Sequence, residues 1–254
     1  MIKVVFLGFG NVNSHLCRAM AESEQVSVMQ VFNRTAMQLP KTLQAIPFTT
    51  QLSEIKEADV YILGIPDDAI ESFSATLPLR DQLIVHTSGG VAMDALSNQN
   101  RMGVLYPLQT FSKQRTIALD KVPICIEASA PEDLGLLRQL GSTISEIVVE
   151  ISSEERAKLH VSAVFVNNFV NYLYTVSEEL LAKNHLNFEL LKPLILETAH
   201  KIETLSPSEA QTGPAKRNDR KTIEKHVHLL KDSPYKELYT QLTQAIETTY
   251  GKKL

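Results

Sequence analysis

Short apolar runs alternate with amphipathic stretches over the first 150 residues. IKVVFLG, VSVMQVFN, ADVYILGIP and QLIVHTSG are nearly continuous in Val, Ile and Leu, the pattern of strands covered on both faces. Between the first two lies VNSHLCRAMAES, whose apolar positions recur at helical spacing. Further strands are predicted at GVLYP, VPICIEA and ISEIVVEI, with a helix over PEDLGLLRQLG between the last two. Such alternation predicts an α/β domain with a mostly parallel sheet wrapped by helices. The pattern changes near residue 151. Ser152 and Glu155 have capping-box spacing, and residues 154–183 follow with no proline or glycine. Helical patterns then cover about 189–205, 221–231 and 236–249. The chain is expected to divide into an α/β domain, 1–151, and an all-α domain, 152–254.

Composition acts mainly by exclusion. The 254 residues are 44% hydrophobic and 21% charged, with a net charge of -4 and acids and bases interspersed. That fits a soluble globular protein and carries no electrostatic footprint for nucleic acid or an anionic membrane. Cys17 and Cys125 are far apart and lack metal-ligand spacing, and His226 and His228, two apart on a predicted helix, point to different faces. Reduced thiols, a cytoplasmic location and no structural metal are expected. VVFLGFG is interrupted by Gly8, Gly10, Asn11 and Asn13 too early for a signal segment. No run approaches the roughly 18 to 20 apolar residues that span a bilayer.

The first strand ends in Gly8-Phe9-Gly10, and a helix starts with Asn11 and Val12. A strand-turn-helix of this kind offers backbone amides and a helix dipole to a pyrophosphate, although a Gly-x-Gly pair also suits a plain turn. The third place of the G-x-G-x-x-G pattern is Asn13, whose side chain must fit where helix and strand pack closely. The second strand ends Phe32-Asn33-Arg34-Thr35. NAD-selective sites usually place an acid there, whereas Arg34 offers a planar cation and Thr35 a hydroxyl, so the expected cofactor is NADP (NADPH).

LGFGNVNSHL, VFNRT, VYILGIPDDAI, LIVHTSGG, YPLQTF and TGPAKRND, in that order, resemble a family of bacterial proteins that join a Rossmann-like domain to a small helical domain. That family is similar to the wider group of pyrroline-5-carboxylate reductase, 6-phosphogluconate dehydrogenase, ketopantoate reductase and the deazaflavin-dependent NADP oxidoreductases. The resemblance covers the whole chain. It implies an NADP-binding fold with a C-terminal domain of the 6-phosphogluconate dehydrogenase type, often a homodimer through the helical part, acting on a small-molecule substrate. The identity of that substrate is not implied, and a deazaflavin as hydride partner stays open.

By that resemblance, Ile65, Pro66 and Asp67 pass the nicotinamide side of the cofactor, with Asp68 either capping or entering the next helix. Ser88 and Gly89 suit a substrate carboxylate or amide, or an ordinary strand-to-loop turn. Relatives begin the YPLQTF motif with His, so Tyr106 is a departure, and Leu108 and Phe111 read as core. In LHVSAVFVNNFVNYL, Asn167 and Asn168 lie seven and eight residues after His160, placing a polar stripe on an apolar helix. Hydride transfer must be coupled to proton delivery, which suits His160 as general acid or base with Asn168 orienting substrate; a structural interhelical histidine is the other reading. The Lys and Asn one turn apart in hydroxyacid dehydrogenases are not reproduced, since Lys158 is followed by Ser162. Thr212, Gly213 and Arg217 lie in a turn with two cations that the resemblance places against the cleft, with Arg217 as anchor for an anionic group. The expected function is a hydride transfer between nicotinamide and a small, anionic carbonyl, imine or hydroxy compound; the alternative is an NADP(H)-binding sensor without turnover.

Overall fold

The computed structural model describes residues 1–251 and comprises two compact units, Met1–Asn168 and the chain from Phe169 onward. In chain order the elements are β1 (Ile2–Leu7), α1 (Asn11–Ala21), β2 (Val26–Phe32), β3 (Phe48–Thr49), β4 (Val60–Leu63), α2 (Ile70–Thr76), β5 (Leu83–His86), β6 (Arg101–Pro107), β7 (Ile124–Ala128), α3 (Pro131–Ser142), β8 (Val148–Glu150) and α4 (Ser153–Ala163). A π-helical turn, Val164–Phe169, leads to α5 (Val170–Ala182), α6 (Lys192–Lys201), α7 (Pro207–Ala210), α8 (Arg220–Leu229) and α9 (Lys236–Tyr250).

The eight strands form one sheet in the order β3-β2-β1-β4-β5-β6-β7-β8. Every pairing is parallel except β6 with β7, where Tyr106 faces Cys125. The chain leaves β1 in one direction to build β2 and β3, then returns to place β4 on the other side of β1. The C-terminal ends of β1 and β4 are thus the topological switch point, where open α/β sheets form a crevice. Period-two geometry sends Val4 and Phe6 into one apolar cluster with Leu16, Met20 and Val31, and Val5 and Leu7 into another with Phe32, Tyr61 and Leu63. Both faces are covered, which is why the strands read as unbroken apolar runs. Each such buried side chain contributes about 1.5 to 3 kcal/mol.

Secondary structure turns from strand to helix at Ser152, whose side chain and Glu155 form the expected capping box. The compact units nevertheless divide later, at Asn168/Phe169, because α4 is pinned to the sheet. Arg156 is fully buried and ion-paired with Glu127 of β7, Ser153 Oγ donates to the same carboxylate at 2.7 Å, and an Arg156 N–H reaches the Val91 carbonyl. Removing Glu127 would strand a buried guanidinium, a loss of about 3 to 5 kcal/mol.

The second unit holds helices over the predicted stretches, and caps sit before two of its helices: a box of Ser206 and Glu209 before α7, and Asp219 accepting from the Thr222 amide before α8. Its described interior is small, with Val176, Ala215 and Ile223 buried, whereas Leu190, Leu194 and Leu229 are 69%, 62% and 78% exposed. Among the described residues no helix is long and apolar enough to cross a membrane, and no three residues cluster as metal ligands.

Candidate functional site

At the switch point the backbone turns so tightly that side chains are excluded. Gly8 has φ +87°, and a Cβ there would lie 2.7 Å from the Gly64 carbonyl oxygen. Its amide donates to Phe32 O at 2.8 Å and the Gly64 amide to Leu7 O at 2.9 Å, so β2, β1 and β4 close on one point. Asn13 occupies the position where a third glycine was expected. It is fully buried, and its Nδ2 donates to the carbonyls of Gly8 (2.8 Å), Ile62 (3.2 Å) and Leu7 (3.4 Å). Room for it comes from Gly64, where any Cβ would collide with the Asn13 carboxamide. The glycine is displaced from α1 to the residue that follows β4, and close packing is kept. Gly10 is the N-cap of α1, whose first turn has neither a capping side chain nor an acid, leaving its positive dipole end uncompensated.

A cavity of about 590 Å³ opens at this turn. Among its lining residues are Gly8, Phe9, Gly10, Asn33, Arg34, Thr35, Ile65 and Pro66, all nominated from sequence. Asn33 shapes the rim, accepting the Phe9 amide on Oδ1 at 3.3 Å and donating Nδ2 to Thr35 O at 2.8 Å. Arg34 is exposed. Three nominated residues do not line the cavity: Asn11, Val12 and Asp67. Asn11 accepts from Ser14 Oγ (2.9 Å) through its carbonyl, Val12 packs on the core, and Asp67 accepts from Ser88 Oγ at 2.9 Å. Asp68 lines the cavity in a short 3-10 turn and makes no cap bond, so it enters the helix rather than capping it. Lys113, which sequence reasoning missed, lines the cavity too. Its long loop before β7 gave no periodicity to place it.

The 86–90 turn forms an adjoining wall. Ser88 Oγ accepts from the amides of Gly90 and Val91, both at 3.1 Å, while donating to Asp67. The hydroxyl nominated for substrate is therefore committed to the turn itself. His86, fully buried at the end of β5, accepts from the Ser88 amide on Nδ1 at 3.2 Å. Burial, with the Arg156 charge added, pulls its pKa down to about 4, so the neutral ring that this bond requires is favoured.

A second cavity, about 330 Å³, is lined by Tyr106, Gln109, Thr110, His160, Asn167 and Asn168, with Leu108 among its apolar walls. Tyr106 Oη lies 3.2 Å from His160 Nδ1. Tyr106 is buried, and burial raises its phenol pKa, so it keeps its proton at neutral pH. Gly89 permits the approach: a Cβ there would come within 2.5 Å of His160 Nδ1 and 2.7 Å of Tyr106 Cζ. The π turn widens the helix just beyond His160, and both asparagines end beside that histidine in one cavity wall. No Lys or Arg is among the residues that line this cavity. Phe111 packs on the main core, as expected. Lys158 pairs with Glu154 at 2.6 Å, whereas Ser162 lines this cavity and donates back to the Lys158 carbonyl, so the two do not form a catalytic pair. Thr212, Gly213 and Arg217 belong to the second unit, in the turn before α8, where Gly213 takes φ +107° and the Arg217 amide donates to its carbonyl at 3.4 Å.

A family model described as Domain of unknown function (DUF2520) matches residues 122–246. A comparison with curated protein sequences found no match. Among solved structures, a "putative NADP oxidoreductase" from Bacteroides fragilis is 37% identical, with 97% of this chain and 98% of that chain covered and a TM-score of 0.89. A protein from Thermotoga maritima follows at 21% identity, 98% and 100% coverage and TM-score 0.80. Pyrroline carboxylate reductase from Plasmodium falciparum, solved with NADP bound, shares the fold at 13% identity, 99% and 98% coverage and TM-score 0.61.

Proposed function

The chain belongs to the same family as the Bacteroides fragilis protein and carries the DUF2520 region, and on that premise we propose that it is an NADP-dependent oxidoreductase acting on a small carbonyl, imine or hydroxy compound. One observation carries the reading: the cavity at the switch point has a glycine cradle that a single Cβ would fill, an uncapped helix start on its floor and Arg34 at its rim. These residues fit a dinucleotide. The Gly8-Phe9-Gly10 turn would leave room for the diphosphate at the start of α1, Arg34 and Thr35 would hold the 2′-phosphate, and Ile65 and Pro66 the nicotinamide end. The nicotinamide supplies or accepts the hydride when bound.

The chain's own part in the chemistry is proton handling. Asp67, beside Pro66, is bonded to Ser88, and a Cβ on Gly90 of the same turn would lie 3.8 Å from Asp67 and 3.7 Å from His160. The turn thus links the nicotinamide end of the first cavity to the Tyr106–His160 pair of the second. Tyr106 carries a proton, His160 can exchange one with it across 3.2 Å, and the carboxamides of Asn167 and Asn168 orient the substrate. A second reading, a sensor that holds NADP(H) without turnover, is favoured by the engagement of Lys158 with Glu154.

Fluorescence titration tests the binding claim: NADPH is expected to bind at least about tenfold more tightly than NADH, roughly 1.4 kcal/mol. Equal affinities would overturn the role of Arg34. An NADPH-consumption screen over small keto acids, imines and lactones separates enzyme from sensor. The exposed leucines of the second unit support a homodimer, for which light scattering is the check.

A further inference from the structure

The dinucleotide reading leaves one cation of the first cavity without a role. Lys113 lines it together with Arg34 and Thr35, is exposed, and has no hydrogen bond or ion pair with another described residue. Its place is nonetheless well defined, because the loop that bears it is tied to α1 on both sides of the lysine. His15 Nε2 lies 2.8 Å from the Arg115 carbonyl oxygen, and Arg18 Nη1 donates to the Thr116 hydroxyl at 2.5 Å. Before the lysine, the Phe111 ring packs on His15 with centroids 4.9 Å apart. An antiparallel bridge between Ser112 and Arg115 closes the loop, leaving Lys113 and Gln114 at its tip.

Helix α1 consequently performs two tasks. Its N-cap, Gly10, lines the cavity, and one to two turns later His15 and Arg18 hold the loop that carries a cation to the same cavity. An ammonium is a compact point charge suited to a phosphoryl oxygen, and one with no protein partner gives up no internal ion pair to bind. We propose that Lys113 is a cofactor-binding residue that pairs with a phosphoryl group of the dinucleotide, with His15 and Arg18 as its positioning residues. The inference rests on the dinucleotide reading and extends it to a segment outside the glycine turn and the Arg34 corner.

The test is a fluorescence titration of NADPH and NADH with the full-length wild type, Lys113→Gln and Lys113→Arg, at two salt concentrations. Lys113→Gln is expected to weaken NADPH binding about tenfold, the effect of one charge-assisted hydrogen bond at a partly exposed site, and to flatten its salt dependence. Lys113→Arg should restore most of the affinity. A loss confined to NADPH assigns the lysine to the 2′-phosphate, and an equal loss for NADH assigns it to the diphosphate; either supports the proposal. Arg18→Ala should reproduce part of the loss while leaving the circular dichroism spectrum unchanged. Wild-type NADPH binding that Lys113→Gln leaves unaltered, salt dependence included, overturns the role of Lys113 and leaves the cofactor reading standing. Failure of the wild type to bind NADPH overturns both.

Discussion

The cavity at the ends of β1 and β4 is built from glycine backbone, the start of a helix and two cations, whereas the cavity beside β6 and α4 is built from carboxamides, apolar walls and a histidine held by a tyrosine. In the first, the glycine turn offers groups that every residue type carries, so its part depends on shape: what must be absent is a Cβ. The second works through side chains on a helix and a loop, so its chemistry can change without disturbing the sheet. The 86–90 turn serves both, which makes it the place where one cavity can be damaged through the other.

Gly8→Ala should break the contrast from the shape side and give the largest effect. The left-handed backbone alone costs a non-glycine residue about 1 to 3 kcal/mol. The new methyl would also meet the Gly64 carbonyl 2.7 Å away. NADPH affinity is expected to fall roughly a hundredfold or more, near 3 kcal/mol. The thermal midpoint should drop as well, both read from one melting series with and without cofactor. A variant that still binds NADPH like the wild type would show that the glycine turn does not hold the diphosphate.

Acid should damage the shared wall next. The buried His86 ring has its pKa pulled down to about 4 from 6.5. Between those two values the unfolded chain takes up a proton that the native ring refuses, so stability falls as pH drops from about 6.5 towards 4. The loss approaches about 3 kcal/mol at the acid end and is absent above neutrality. Protonation also removes the acceptor for the Ser88 amide. Urea unfolding at pH 7 and pH 4.5 measures the slope. His86→Asn, which has no titrating ring, should lose that part of it; an identical slope would place the acid sensitivity elsewhere.

The contrast also explains what could be read in the chain. Unbroken Val, Ile and Leu runs announced a doubly covered sheet, and Gly8, Gly10, Asn33 and Arg34 could be placed because a strand end fixes where its next few residues must go. Asn13 looked like a flaw in the motif, since its compensation, Gly64, lies 51 residues away just after β4 and only the folded sheet brings them together. Lys113 was invisible for a related reason: its loop has no period, and contacts to His15 and Arg18 position it. The polar stripe on α4 was legible as a spacing, but the π turn that widens it was not, because the stretch contains no proline or glycine to mark it. Tyr106 looked like a departure from its motif, and the sequence offered no sign that its hydroxyl meets His160 across 54 positions.

Tyr106→Phe gives the smallest expected effect and the sharpest separation of the two cavities. The substitution keeps the ring that packs beside Cys125 and removes one hydroxyl bonded to His160, so stability should fall by about 1 kcal/mol or less. Because Tyr106 lines only the second of the two cavities, the NADPH dissociation constant should stay within about twofold of wild type, under roughly 0.5 kcal/mol. The His160 ring nitrogen resonances, which report its hydrogen-bonding partner, should move. In any assay that shows turnover, the rate of the chemical step should fall while cofactor affinity holds, since the lost group donates a proton and does not bind phosphate. A Tyr106→Phe protein with weakened NADPH binding would mean that the two cavities act as one site, and the division between a charge-binding end and a proton-handling end would have to be abandoned.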